Sequence, residues 1–394
     1  MVKQVQKFVL PLLCAIMLCA TMVAPAFAAS AAASDDAEQA ATETAAQREA
    51  VPDDDSTITF VDSAGRSVVI DRSTDKIAAL MAVSYNYMLL LQQTDRIVAA
   101  MMMNDWAYEV TDNATHNAAD IELISDAAQG LNVEQLLEEG IELVFYWPTR
   151  DDVLQECDDV NLPCVGISTS TSGAATTADE YIDQITGDVF LYAEALGNGA
   201  GAIAQQYYDY VYEKLHMVED RVSTLSPDEY KTVYWMRSSD DGLQAFCGGS
   251  VAESVCNITG GTLVTTLESG SGNVQNISTY TTVSMEQLYD WNPDVILMGR
   301  TGDINIVLEN EQWDNIQAVQ DGEVYLCPTG VFYWDGGVEA PLMVMYVAQI
   351  LHPDLFEDLD MVEEVKYFYS TFFGYELTDE QAGYLLNRLG PDGE

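Results

Sequence analysis

Short apolar runs alternate with amphipathic helical stretches along most of the chain, and one helix–turn–strand unit occurs twice. The two copies read N-V-E-Q-L-L-E-E-G-I-E-L-V-F-Y-W at 132–147 and S-M-E-Q-L-Y-D-W-N-P-D-V-I-L-M-G-R at 284–300. Each copy predicts a short helix after a polar cap residue, then a turn, then an apolar run typical of a strand buried on both faces of a parallel sheet. The repeat predicts two similar α/β lobes, and a cleft between such lobes is more often a binding site than a catalytic one.

The region around the first copy predicts one complete lobe. It opens with a hairpin, I-T-F-V-D and S-V-V-I-D, on either side of Ala64-Gly65. Buried strands are predicted at 76–82, 96–103, 143–147 and 164–168, and helices at 84–93 and 151–157. Because strands and helices alternate, the lobe is expected to hold a parallel sheet with helices packed on it.

Two helices, 178–196 and 201–225, follow, separated by Gly197-Asn198-Gly199. The second would extend over roughly 40 Å at 1.5 Å per residue, enough to join two lobes by a single crossing. A second lobe is then predicted from a strand at 231–236, a helix after Gly248-Gly249-Ser250, the second copy of the unit, a helix at 312–320, a strand at 323–327, and helices at 339–351, 361–373 and 378–389. The predicted fold class is α/β, with two lobes, each a mainly parallel sheet flanked by helices, linked by one long helix and followed by C-terminal helices.

The first residues predict export. Residues 1–28 combine a positive start, an apolar stretch and Ala26-Phe27-Ala28 as an A-x-A cleavage site, which is typical of a signal peptide. Cys14 and Cys19 each follow a leucine, whereas lipoprotein processing requires a small residue before the cysteine. A soluble exported protein is therefore favoured over a lipid-anchored one. Residues 29–55 are rich in Ala, Asp, Glu and Thr and predict a disordered linker. The remaining boundaries are 56–198 for the N-terminal lobe, 199–225 for the connecting helix and 226–394 for the C-terminal lobe.

The formal net charge of −49 argues against nucleic acid and anionic membrane surfaces as partners of the whole surface. It fits a solubilising acidic shell, or a surface that attracts cations or a basic partner. Five cysteines remain after the signal peptide. Cys157 with Cys164, and Cys247 with Cys256, are each close enough in sequence to close a short loop, so two local disulfides are expected, with Cys327 left over.

Candidate ligand-binding residues follow the predicted strands, because ligands of parallel sheets lie beyond the carboxyl ends of the strands. Several tryptophans and arginines occur there, and isolated arginines among aromatic residues suit a bulky ligand with anionic groups. The alternative is that the aromatic residues pack between the lobes and the arginines pair with local acids. The candidates are Tyr85, Trp106, Tyr108, Trp147, Arg150, Trp235, Arg237, Arg300, Tyr333 and Trp334.

The chain lacks the usual sequence signatures of an enzyme. It contains no P-loop, G-x-G-x-x-G or H-E-x-x-H motif, no nucleophile with a motif-level base partner and no zinc-binding spacing. No catalytic residue, metal ligand or cofactor is therefore predicted. A secreted α/β hydrolase working through paired carboxylates stays open as the rival function.

Seven stretches carry a resemblance to a known family. They are V-D-S-A-G-R-S-V-V-I, K-I-A-A-L-M-A-V-S, L-N-V-E-Q-L-L-E-E-G-I-E-L-V-F, G-G-S-V-A-E-S-V-C-N-I-T-G-G, S-M-E-Q-L-Y-D-W-N-P-D-V-I-L, G-E-V-Y-L-C-P-T-G-V-F-Y-W-D and E-A-P-L-M-V-M-Y-V-A-Q-I-L-H-P. In this order and spacing, the chain resembles the solute-binding proteins of ABC importers for ferric siderophores, haem and cobalamin, from about residue 58 to residue 386. Those proteins have two lobes joined by one long helix.

The resemblance implies capture and delivery of a solute, with no catalysis. Glu134 and Glu286, at the same place in the two copies of the unit, match the glutamates that dock into arginines of the membrane permease, which works with its ATPase. The implied ligand is a ferric siderophore first, then haem or cobalamin, and the protein is expected to be an exported monomer at the periplasm or the outer face of the membrane. Asn86 departs from the family, which commonly has an acid there on the rim. A binding module that senses its ligand without importing it is a further alternative.

Overall fold

The computed structural model describes residues 56–115, 118–168, 173–237, 241–267, 279–300 and 302–394. The predicted signal peptide (1–28) and the predicted linker (29–55) lie outside these residues. None of the described helices is at once long enough and apolar enough to cross a membrane.

The N-terminal lobe combines the predicted hairpin with a five-stranded parallel sheet. Its strands are β1 (Thr57–Val61), β2 (Ser67–Asp71), β3 (Ile77–Ala79), β4 (Ile97–Ala100), β5 (Glu122–Leu123), β6 (Leu143–Tyr146) and β7 (Cys164–Gly166). In the hairpin, alternate residues such as Phe60, Val68 and Ile70 are buried, as a strand with one face on the core requires. The sheet order is β5-β4-β3-β6-β7, and the central strands β3 and β6 are buried along their whole length, as predicted.

Helices cover this sheet and lead out of the lobe. They are α1 (Ser84–Leu90), α2 (Asp105–Thr115), α3 (Val133–Glu138), α4 (Asp151–Asp159) and α5 (Ala178–Leu196). The connecting helix α6 (Ala200–Val222) begins just after the left-handed Gly199 and packs on α5 of the first lobe and on helices of the second. At 23 residues it is about 35 Å long.

The C-terminal lobe has a six-stranded mixed sheet. Its strands are β8 (Lys231–Met236), β9 (Gln244–Phe246), β10 (Gly261–Leu263), β11 (Tyr280–Thr282), β12 (Val295–Met298) and β13 (Val324–Leu326). Strands β10, β8, β12 and β13 are parallel, whereas β9 and β11 extend the sheet as antiparallel edge strands. The antiparallel edge was not predicted, because its two short strands carry no clear apolar pattern.

The second lobe is also covered by helices. They are α7 (Val251–Ile258), α8 (Met285–Trp291), α9 (Asn305–Leu308), α10 (Gln317–Asp321), α11 (Ala340–Leu351), α12 (Met361–Phe368) and α13 (Asp379–Leu386), with a π-helical turn at Tyr369–Phe373. The repeated unit forms the same structure in both lobes. The Asn132 side chain caps α3 before β6, and the Ser284 side chain caps α8 before β12, each by accepting a hydrogen bond from the backbone N–H three residues later.

The structure contradicts the predicted disulfides, because the described cysteines are all thiols. Cys157 on α4 and Cys164 on β7 are both buried and share a hydrogen bond between their side chains. Cys256 is fully buried on the core face of α7, whereas Cys247 lies half-buried in the loop before that helix. The short spacing in sequence therefore brings the thiols of Cys157 and Cys164 together, but neither predicted pair forms a disulfide.

Candidate functional site

A cavity of about 250 Å³ lies between the two lobes and is called the first cavity here. Its walls come from the carboxyl ends of parallel strands in both sheets, where open α/β sheets bind ligands. The N-terminal lobe contributes the start of α1 and the residues after β4, and the C-terminal lobe contributes the residues after β12 and β13. The lining residues are Ala82, Tyr85, Asn86, Met102, Met103, Asn104, Arg300, Thr329, Val331, Phe332, Tyr333 and Arg388.

Two buried polar groups at this cavity lack a hydrogen-bond partner. Asn86 is 1% exposed. Its Oδ1 accepts a hydrogen bond from the Val338 N–H of the other lobe at 2.7 Å, while its Nδ2 has no partner among the described residues. The same is true of the Thr329 hydroxyl. An unsatisfied buried donor costs about 1–3 kcal/mol, so a ligand that accepts hydrogen bonds would relieve both.

Two arginines bring positive charge to the first cavity. Arg300 follows β12, and its Nε donates to both oxygens of buried Asp335, at 3.0 and 3.1 Å. Burial raises the pKa of Asp335, and the Arg300 charge opposes that rise. The Arg300 guanidinium lies 5.3 Å from the centroid of the Tyr333 ring, which orients it further.

Arg388 is held by backbone carbonyls. Its Nε donates to the Cys327 carbonyl at 3.1 Å, and its terminal nitrogens donate to the carbonyls of Met298 and Gly302. Burial lowers the pKa of this guanidinium below its usual value. Arg300 and Arg388 bring two positive charges to the first cavity, and Asp335, which pairs with Arg300, brings one negative charge. The remaining positive charge favours an anionic ligand.

The residues after β13 form a binding loop, defined here as residues 328–337, which is wrapped around the carboxylate of Glu339. That carboxylate accepts hydrogen bonds from the Phe332 N–H at 3.2 Å, from Trp334 Nε1 at 3.1 Å and from the Tyr369 hydroxyl at 2.6 Å. A Cβ on Gly330 would lie 1.8 Å from Glu339 Oε1, so the loop needs glycine there. Glu339 therefore fixes the loop that supplies Thr329 and Tyr333 to the cavity.

The Glu339 carboxyl predicts a pH-dependent stability. Burial raises its pKa from 4.5 to about 7, although the three donors favour the ionised form. Between these values the folded protein binds the proton and the unfolded chain does not, so the free energy of unfolding falls as the pH rises from about 4.5 to about 7. The fall is about 3 kcal/mol, at about 1.4 kcal/mol per pKa unit.

Urea unfolding of wild type and Glu339→Gln at pH 5 and pH 8 isolates this contribution from the other carboxyl groups. The variant cannot titrate at this position, so the wild type should lose about 3 kcal/mol relative to it on going to pH 8. An equal difference between the two proteins at both pH values would contradict the prediction.

A second cavity of about 300 Å³ lies on the other side of the binding loop. It is bounded by α5, by the start of α7 and by Asp335 to Gly337 of the loop. The lobes are tied together beside it, because Ala175 N–H donates to Ser254 Oγ at 2.9 Å. A Cβ on Gly337 would lie 2.7 Å from Asn86 Oδ1, so the loop passes between the two cavities in close contact with the first lobe.

Three of the ligand-binding candidates from the sequence line the first cavity, namely Tyr85, Arg300 and Tyr333. Three tryptophans among the candidates are buried in the protein. Trp235 and Trp334 are fully buried in the core of the second lobe, and Trp106 is 3% exposed in the first. A strand end marks the correct edge of the sheet but does not determine whether a large side chain turns toward the cleft or the core.

The remaining candidates line neither cavity. Arg150 pairs with Asp152 at 2.9 Å, and Trp147 packs edge-on against Tyr146. Arg237 lies 4.1 Å from the centroid of the Tyr280 ring. Tyr108 lines an acidic groove beside α2.

The sequence did not identify Asn86, Thr329 and Arg388 as cavity residues. Asn86 had been placed at the rim, but the structure buries it between the lobes. Asn86 could have been recognised from the segment S-Y-N-Y-M-L-L, because it places an amide side chain in a helix that is buried along its whole length. Arg388 follows a helix, so it is not among the candidates, which were taken from the residues that follow strands.

The predicted docking residues occupy equivalent exposed positions. Glu134 lies in the first turn of α3 and Glu286 in the first turn of α8, and both side chains are exposed. The two lobes therefore present an acid at the same point of the same structural unit.

Comparison with known proteins identifies the family. The family model described as "Periplasmic binding protein" matches residues 77–330, which is more than half of the chain and includes parts of both lobes. The chain belongs to the periplasmic binding protein family. Periplasmic binding proteins of this type are the solute-binding components of ABC importers, so the family role is transport rather than catalysis, and the predicted family and two-lobed α/β fold are confirmed.

Individual relatives of this periplasmic binding protein bind different solutes. The molybdate-binding protein MolA of Haemophilus influenzae is 25% identical over 339 residues, which cover 81% of this chain and 89% of MolA. Its structure with molybdate bound has a TM-score of 0.67 at 23% identity and covers 82% of this chain and 99% of that one. Helicobacter pylori CeuE in a nickel–histidine complex has a TM-score of 0.62 at 19% identity, covering 84% and 99%. A periplasmic solute-binding protein of Veillonella parvula has a TM-score of 0.69 at 21% identity, covering 84% and 97%. At these identities the structural matches show the fold alone.

Proposed function

We propose that this periplasmic binding protein captures a small oxyanion of the molybdate type in the first cavity and delivers it to an ABC permease. The observation that carries the proposal is the pair of buried donors without partners, Asn86 Nδ2 and Thr329 Oγ1, beside the Arg300 guanidinium. A tetrahedral oxyanion offers acceptor oxygens in several directions and so satisfies donors that converge from both lobes.

The size of the cavity favours a small solute over the ferric siderophore, haem or cobalamin expected from the sequence. Its volume of about 250 Å³ is below the range of about 300–1,000 Å³ that is common for ligand sites. The expectation of a bulky ligand with anionic groups rested on arginines among aromatic residues, and three of the four tryptophans in that set are buried in the protein. The similarity to a molybdate-binding relative agrees with this choice.

A small anionic metal chelate is the second candidate. The observation in its favour is the second cavity, about 300 Å³ in volume, on the far side of the same loop. A ligand with a second polar part would need movement of Gly336 or Gly337 to occupy both cavities. The oxyanion needs no such movement.

Delivery is proposed to use both lobes at once. Glu134 and Glu286 are exposed at equivalent points of the repeated unit, as expected if each docks into one half of a permease with two similar subunits. The single connecting helix permits only limited hinge motion, so release would require the permease to separate the lobes. Residues 1–28 are proposed to direct export and then to be removed.

Arg300→Ala tests the proposed site. The variant removes one guanidinium from the first cavity and leaves buried Asp335 without its ion pair, so affinity for molybdate should fall at least about tenfold, since a charged hydrogen bond contributes about 1.5–3 kcal/mol. Arg150→Ala is the matched control, because Arg150 pairs with Asp152 and lines neither cavity. Titration calorimetry measures both. Equal affinities for wild type and Arg300→Ala would remove Arg300 from the site.

A further inference from the structure

The residues after α13 connect the two lobes next to the first cavity. Arg388 has a backbone φ of +58°, a left-handed conformation that non-glycine residues rarely adopt. This turn directs its side chain to the carbonyls of Met298 and Cys327, at the ends of β12 and β13. The segment is therefore fastened to the C-terminal lobe at the edge where the ligand is proposed to bind.

The next residue contacts the other lobe. Trp106 on α2 donates a hydrogen bond from Nε1 to the Leu389 carbonyl at 2.8 Å, and Trp106 itself is 3% exposed. Farther along, Pro391 and Asp392 line a groove with Asp105 and Tyr108 of α2. Arg388 thus binds the C-terminal lobe through its side chain, and the next residue, Leu389, binds the N-terminal lobe through its backbone carbonyl.

Arg388 couples this connection to the first cavity. Its guanidinium lines the cavity while three carbonyls hold it in place. Carbonyl oxygens accept its hydrogen bonds but carry no full negative charge, and Asp335, whose charge also acts on Arg388, forms its ion pair with Arg300. An anion in the cavity would give the half-buried Arg388 guanidinium a counter-ion of its own and would favour this arrangement of the side chain.

We propose that residues 387–394 form a clasp that closes the cleft over the ligand, with Arg388 binding the anion and the Leu389 carbonyl holding the N-terminal lobe. The role of Arg388 rests on the proposed oxyanion function, whereas the contact of the clasp with Trp106 does not.

Trypsin cleavage at the Arg388–Leu389 bond reads the clasp directly, because trypsin must bind the Arg388 side chain, and in the closed clasp the carbonyls of Met298, Gly302 and Cys327 hold that side chain. Intact-mass spectrometry follows the loss of residues 389–394 from the full chain. Trp106→Phe keeps an aromatic ring at this position but removes the indole N–H together with the pyrrole part of the side chain, so cleavage should accelerate at least about fivefold, the factor that corresponds to a hydrogen bond of about 1 kcal/mol. Trp291→Phe is the control, because the Trp291 Nε1 has no partner among the described residues, and it should cleave at the wild-type rate. An unchanged rate in Trp106→Phe would overturn the clasp.

Molybdate supplies the second arm of the test. Saturating molybdate should slow cleavage of the wild type at Arg388, and Arg388→Lys should bind molybdate at least about tenfold more weakly while remaining cleavable at the same bond. If calorimetry detects molybdate binding but neither effect occurs, the assignment of Arg388 to the ligand is overturned. If the wild type does not bind molybdate, the proposed function fails, and the comparison of Trp106→Phe with Trp291→Phe still decides the clasp.

Discussion

Asn86→Asp should abolish oxyanion binding, with a loss of affinity of more than about a hundredfold. The substitution keeps the shape of the side chain and the acceptor for the Val338 N–H. It replaces the unpartnered Nδ2 donor by a carboxylate oxygen, so the ligand loses a hydrogen bond and meets a like charge at a buried position. Loss of the donor alone accounts for about 1.5–3 kcal/mol, and the repulsion adds to it.

The pH dependence of Asn86→Asp distinguishes repulsion from misfolding. Burial raises the pKa of a carboxyl group, so the introduced aspartate should bind a proton as the pH falls, and affinity should partly recover. Asn161→Asp is the control, since Asn161 is exposed in the turn between α4 and β7. Calorimetry with molybdate at pH 5 and pH 8 measures all three proteins. Wild-type affinity in Asn86→Asp at pH 8 would exclude Asn86 from the site.

The double variant Glu134→Ala with Glu286→Ala should retain ligand binding and lose uptake almost completely. Both glutamates are exposed and line neither cavity, so their removal should not change the affinity. They occupy the first turn of equivalent helices on the two lobes, and loss of charged contacts at both ends of a docking surface should reduce productive docking by more than about a hundredfold.

The matched control is Glu138→Ala with Asp290→Ala, which removes exposed acids from the last turns of the same two helices. Both double variants have the same change in net charge. Uptake of labelled molybdate by cells that carry the cognate permease and ATPase, together with calorimetry on the purified proteins, separates docking from binding. Normal uptake by Glu134→Ala with Glu286→Ala would exclude the docking role, and an equal loss in both variants would attribute the effect to net charge alone.

The sequence predicted the architecture well because the architecture depends on local signals. The cap residues Asn132 and Ser284 and the apolar runs that follow them are read directly from the chain, and both copies of the unit form as expected. The strand at Lys231–Met236 and the helix at Ala178–Leu196 have the predicted bounds. Periodicity and capping chemistry act over a few residues, so one sequence is enough to detect them.

The site was predicted only in part because it depends on contacts between residues far apart in the chain. Arg300 was found because it follows a strand. Asn86 meets Val338 across 252 positions, and Arg388 reaches Met298 across 90, and no local pattern encodes either contact. The burial of three candidate tryptophans was not predictable for a related reason, since Trp334, for example, turns inward to donate to Glu339.

Titration calorimetry of the protein with molybdate decides whether the first cavity binds an oxyanion. A parallel panel would contain tungstate, sulfate, a ferric siderophore, haem and cobalamin. We expect saturable one-to-one binding of molybdate or tungstate that is lost in Asn86→Asp, with no saturable binding of the siderophore, haem or cobalamin. Saturable binding of one of the large ligands, with no response to any oxyanion, would contradict it.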